Sequence, residues 1–127
     1  MELSNQTASS NGHILIIDDN FQFCAFLKLS LEAEGFSVNF APEAVSGLAT
    51  IESSVPSMVL VSEKLPMQNL KQLTEGLQNS KSTIPLVLMT SLKDAEKEAQ
   101  DLGFDHHLEK PFIEDNWFRV MRQFLPA

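Results

Sequence analysis

A chain of 127 residues, 43% hydrophobic and 20% charged, is long enough for one domain burying roughly two-thirds of its unfolded surface, and its composition is neither disordered nor fibrous. A formal charge of −8 argues against nucleic-acid binding by this domain, because no basic surface is at hand to displace phosphate counterions. No apolar run nears the roughly 20 residues of a membrane span and no signal-peptide pattern opens the sequence, so the expectation is a cytoplasmic protein that does not meet a membrane.

Residues 1–12 are small and polar without periodicity and read as a disordered tail or linker, which leaves 13–127 as the domain. His13-Ile-Leu-Ile-Ile is the continuous apolar run of a strand buried on both faces, and it ends in the adjacent carboxylates Asp18 and Asp19. Asn20 can cap a helix over 21–34 that Gly35 stops. In it Phe23, Phe26, Leu27 and Leu31 form a buried stripe, while Phe21, Cys24, Ala25 and Leu29 widen the apolar arc, either as a broad core face or as a partner surface. Cys24 is the sole cysteine and reads as a buried thiol.

Residues 36–41 alternate as a half-buried edge strand. A short helix over 42–53 tolerates Pro42 in its first turn and turns Ala44, Gly47, Leu48 and Ile51 inward. The run 58–61 is a second central strand, leading into Ser62-Glu63-Lys64-Leu65-Pro66, and 68–79 is a weak helix on Leu70, Leu73 and Leu77. Strand 84–91 carries Pro85 near its start, where no ladder bond need be lost. Ser91 and Asp94 approximate a capping box for a helix with Leu92, Ala95, Ala99 and Leu102 inward and Lys93, Glu96, Lys97, Glu98 and Asp101 as a solvated face. After Gly103, residues 104–108 form a last strand, then Glu109-Lys110-Pro111-Phe112, then a helix over 113–125 with Trp117, Met121 and Phe124 or Leu125 inward.

Strands alternating with helices argue an α/β architecture: a single doubly wound five-stranded parallel sheet with helices on both faces, in strand order 2-1-3-4-5. That order brings Asp18, Asp19, Ser62, Thr90 and Lys110 to one rim.

Four fragments in this order, Asp18-Asp19, the Pro56-to-Pro66 spacing, Thr90-Ser91 and Lys110-Pro111-Phe112, make residues 14–125 resemble the receiver domain of two-component response regulators, with its flavodoxin-like fold. The resemblance implies that the acid pair helps hold magnesium, an aspartate at the end of the third strand accepts phosphate, Thr90 senses it and Lys110 contacts it. Counting back four from Pro66 lands on Ser62. The acceptor position is degenerate.

A carboxylate attacks a phosphorylated histidine already ionised, whereas a serine hydroxyl needs a base, and no histidine or lysine is clearly placed to act as one. Magnesium wants hard oxygen ligands in near-octahedral array, so a site reduced to Asp18 and Asp19 is weak or absent and no cofactor is expected. Lys64 or Lys110 can stand in for the ion by pairing with Asp19. Lys64 is otherwise a solvated loop residue, and Thr90 otherwise only satisfies backbone donors near a helix start. Glu63 is a replacement acceptor only if a bulge reverses its face. His107 falls where the family has an aromatic switch residue. His106 beside it points the other way, which disfavours a two-histidine metal site.

The expected function is an atypical receiver, not an enzyme, acting by protein contacts without aspartyl phosphorylation. Its partner is a histidine kinase, phosphotransfer or effector domain on the first helix or on the face of the fourth helix, fifth strand and fifth helix; a homodimer is also compatible. The alternative is a conventional phospho-receiver with its acceptor mutated or moved to Ser62 or Glu63. A phosphatase built on Asp18 and Asp19 lacks a nucleophile, and a flavin site lacks a phosphate loop after the first strand.

Overall fold

Strands and helices alternate along the chain as β1 (His13–Ile17), α1 (Phe21–Ala33), β2 (Ser37–Ala41), α2 (Ala44–Ser53), β3 (Met58–Ser62), α3 (Met67–Asn79), β4 (Leu86–Thr90), α4 (Ala95–Leu102), β5 (His106–Glu109) and α5 (Asp115–Gln123). The computed structural model describes residues 12–79, 83–90, 95–109 and 115–125. The expected tail through residue 11, the Ser91–Asp94 capping box, Leu92, Lys93, the Lys110-Pro111-Phe112 motif and the side chains of Ala95 and Trp117 lie outside the described residues.

All strand pairs are parallel and their order is β2-β1-β3-β4-β5, as the alternation of elements predicts. β1, β3 and β4 lie inside the sheet, which is why their sequences are continuously apolar; β2 and β5 are edges, and each carries polar residues. Strand alternation sorts the core into two layers. Ile14, Ile16, Met58, Leu60, Val87 and Met89 pack with Cys24, Leu27 and Leu31 of α1 and Met121 of α5. Leu15, Ile17, Val59, Val61 and Leu88 pack with α2, α3 and α4 through Ala44, Ile51, Leu73 and Ala99.

The α1 stripe differs from the sequence reading. Phe26 is 55% exposed, and Phe21 and Leu29 are 69% and 68% exposed, so the inward set is Cys24, Leu27 and Leu31 with Phe23 partly covered. Successive turns at 24, 27 and 31 already fill the space over β1, which leaves Phe26 on the flank. α1 ends where expected. Gly35 takes φ +95°, and the amides of Gly35 and Phe36 return to the carbonyls of Glu32 and Leu31 at 3.0 and 3.1 Å.

α2 begins at Ala44, two residues later than the sequence suggests, leaving Pro42 outside the helix. On its inner face Gly47 meets β1 so closely that a Cβ built there would lie 2.4 Å from Ile17 Cδ1.

Candidate functional site

The C-terminal rim is assembled by strand register. Ile17 lies beside Val61, so the next residues, Asp18 and Ser62, are neighbours, while Ser62 itself is in register with Met89 and Thr90 with Glu109. Alternation then puts the Asp18 and Ser62 side chains toward the α1 and α5 layer and Thr90 toward the α4 layer. Of the cluster expected from sequence, Asp18, Ser62 and Thr90 therefore reach this rim, with Thr90 on the opposite side of the sheet, while Lys110 lies outside the described residues.

Asp18 is 2% exposed and fixed by its surroundings. Its Oδ1 accepts the Asn20 amide at 2.9 Å, its carbonyl accepts the Cys24 thiol at 3.3 Å, and Asn20 in turn caps α1 by accepting the Phe23 amide at 3.0 Å. Cys24 is thus a buried structural thiol. Asp19 is exposed. Ser62 is fully buried, and its Oγ accepts the Lys64 amide at 3.1 Å, closing the turn after β3.

Lys64 is exposed and forms no ion pair among the described residues, so it does not serve as the counter-ion of Asp19; Lys110, the other lysine assigned that role, lies outside them. Glu63 donates its amide to the Met89 carbonyl at 2.9 Å, and its carboxylate is on the Glu98 side of the rim, the face opposite Ser62.

Glu98 corrects the expectation of a solvated α4 face. Its carboxylate accepts the fully buried Thr90 hydroxyl, and its Oε1 is buried without a hydrogen-bond partner among the described residues. Burial, then repulsion from Glu63, pushes the Glu98 pKa up, with the Thr90 hydrogen bond opposing them. The signal was in the sequence: strand alternation aims Thr90 at α4, and Glu98 adjoins the inward Ala99. Thr90 and α4 are thereby tied by a side-chain bond.

A carboxyl whose folded pKa exceeds its ordinary value of 4.5 costs stability once ionised. That cost is full above the folded value and fades as pH falls to 4.5. Glu98→Gln should therefore stabilise the protein at neutral pH, with the advantage over the parent disappearing near the ordinary glutamate pKa. Chemical denaturation across that range measures it; a constant difference between the two proteins would contradict it.

His107 is half-buried on β5, and His106 stacks on Phe124 after α5 with centroids 4.1 Å apart and planes at 5°. Among the described residues no group of three or more histidine, cysteine, aspartate and glutamate side chains could hold a metal. The described rim offers two carboxylates, Asp18 and Asp19, of which Asp18 also accepts a backbone amide through Oδ1.

Comparison with known proteins decides the family, for the response regulator receiver domain matches residues 14–122. The chain belongs to that family. This receiver is 30% identical over 112 residues to the uncharacterized transcriptional regulatory protein YkoG of Bacillus subtilis, covering 86% of this chain and 49% of that one. It is 28% identical over 102 residues to the transcriptional regulatory protein CseB of Streptomyces coelicolor, covering 79% and 43%. Among solved structures, a two-component response regulator from Clostridium difficile superposes with TM-score 0.76 at 25% identity, covering 88% of this chain and 93% of that one. Full-length FixJ from B. japonicum gives 0.76 at 27%, covering 88% and 56%.

The receiver spans about half the length of the curated relatives it matches. It is a receiver domain of two-component signalling, and among its described residues no helix is long and apolar enough to cross a membrane.

Proposed function

We propose that this receiver transmits a signal by protein contacts alone, without accepting a phosphoryl group. The observation that carries the reading is Ser62. It stands at the acceptor position, fully buried, with its oxygen accepting the Lys64 amide. An alcohol attacks an acyl phosphate or phosphohistidine only if a base removes its proton, and the described neighbours at the rim offer carboxylates, which are too weak for that task. Magnesium binding is correspondingly weak or lost. The chain catalyses no turnover of its own, acts in the cytoplasm, and takes its input from a histidine kinase, phosphotransfer or effector domain, in another chain or in the rest of a longer protein.

Two faces suit such contacts. α1 presents Phe21, Phe26 and Leu29, and the α4, β5 and α5 side presents a free sheet edge; a homodimer could use either. Intact mass after incubation with acetyl phosphate and magnesium tests the central claim. The expected result is no phosphoryl adduct. A hydroxylamine-labile adduct would place the acceptor on a carboxylate such as Glu63, and a hydroxylamine-stable one on Ser62; either overturns the reading.

A further inference from the structure

The end of the sheet opposite the Asp18 rim is fastened by a histidine. His13 opens β1, and strand alternation turns its side chain toward the α2 layer, as it does that of Ser37, the residue in register with it on β2. Its Nδ1 lies 2.7 Å from Ser37 Oγ. The His13 amide donates to Ser57 Oγ at 3.1 Å and its carbonyl accepts the Ser57 amide at 2.7 Å, while the Ser37 amide donates to the Gly12 carbonyl at 3.0 Å. Gly12 is seated so closely that a Cβ there would lie 2.9 Å from Ser57 Oγ. The His13 Nε2 is buried with no hydrogen-bond partner among the described residues.

A neutral imidazole has one N–H and one bare nitrogen, and a buried donor without an acceptor is the costlier orphan. The proton therefore belongs on Nδ1, donating to Ser37 Oγ, with the lone pair of Nε2 left over. A second proton would add a buried N–H with nothing among the described residues to receive it, and a charge without a counter-ion. The packed elements do not offset that charge. β2 and β3 carry no charged residue, α2 carries only Glu52, exposed in its last turn, and Glu34, ahead of β2, is paired with Arg122. Burial accordingly lowers the His13 pKa.

We propose that His13 is a proton-operated clasp: uncharged, it ties the first residues of β1 to β2 and to the segment before β3, and on taking up a proton its ring swings into water and that end of the sheet opens. The ring is only half-buried, so its exit requires no unfolding of the core. Gly12 and His13 are where the chain enters the sheet, and mild acid loosens that entry while leaving the Asp18 rim in place. The clasp is complete above the ordinary histidine value of 6.5 and is lost as pH falls below it, through the lowered value of the folded state. It does not involve Ser62, and it operates whether or not the receiver accepts a phosphoryl group.

NMR of the imidazole ring together with amide hydrogen exchange, at about pH 7.5 and about pH 5, tests the clasp. The His13 ring should titrate with a midpoint below 6.5. Between the two conditions the protection factors of the Ser37 and Ser57 amides should fall by roughly fivefold or more, while those of Leu60 and Leu88 inside the sheet hold. His13→Leu fills similar space without titrating, so its Ser37 and Ser57 amides should be equally protected at both pH values. Ser37→Ala removes the partner of Nδ1, and its Ser57 amide should be as weakly protected at the higher pH as the parent's is at the lower. The parent and Ser37→Ala decide the question even if His13→Leu does not fold. A ring midpoint at or above 6.5, protection that stays constant or falls alike in every strand, a fall that persists in His13→Leu, or parent-like protection in Ser37→Ala overturns the proposal.

Discussion

Ser62→Asp should convert a protein that takes no label from acetyl phosphate into one that takes a single hydroxylamine-labile phosphoryl group. The strand end suits a carboxylate. Ser62 ends the central strand β3 beside Asp18, and an aspartate carboxyl there keeps an oxygen for the Lys64 amide that Ser62 Oγ now accepts. Its other oxygen, already ionised, attacks phosphorus; the P–O bond to acetyl breaks and acetate departs with the electron pair, so no base is needed.

The same substitution has a cost that provides a second readout. A new carboxylate at a fully buried position, next to Asp18 at 2% exposure, places like charges in a poorly solvated site, which raises one pKa and destabilises the fold by about 1–3 kcal/mol at neutral pH. A divalent cation relieves that repulsion, so the Tm of Ser62→Asp should climb with magnesium while that of the parent stays nearly flat. Intact mass and a melting titration check the two halves. A folded Ser62→Asp protein that takes no label would mean that the rim has lost more than its acceptor.

How far the sequence carries depends on what each residue answers to. Strand order and the two core layers were legible because β1, β3 and β4 are uninterrupted apolar runs, a pattern that only a doubly covered sheet explains. Asp18, Ser62 and Thr90 reach one rim for the same reason. Periodicity was less informative on α1, where apolar residues surround the helix and only packing against β1 selects Cys24, Leu27 and Leu31 over Phe26. At Glu98 charge alone does not decide exposure. A hydrogen bond to a buried hydroxyl outweighs that preference for one side chain of the α4 face, leaving its neighbours Glu96 and Lys97 solvated. The close approach at Gly47 was hidden altogether, since inward spacing shows that a residue faces the sheet and not how near the sheet lies.

Gly47→Val should destabilise the protein by about 3 kcal/mol, lowering Tm by roughly 10 °C. Gly47 has no positive φ, so the cost is one of space. A Cβ there would sit 2.4 Å from Ile17 Cδ1 and 3.0 Å from Cγ1, and Ile17 is itself fully buried between α2 and the sheet. Either α2 lifts off β1 or Ile17 leaves its rotamer inside a packed layer, and valine adds two methyl groups to whichever gives. Helix propensity offsets little, because a β-branched residue gains only a few tenths of a kcal/mol over glycine.

A double-mutant cycle isolates the contact. Ile17→Val removes the Cδ1 atom and alone should cost about 1 kcal/mol. In a Gly47→Ala background the same change should cost nothing or restore stability, because the deleted methyl is the one the new Cβ strikes. Additive losses in urea denaturation would show that α2 simply moves away from β1, and the tight seating of this helix would then contribute nothing to the position of Asp18 at the end of that strand.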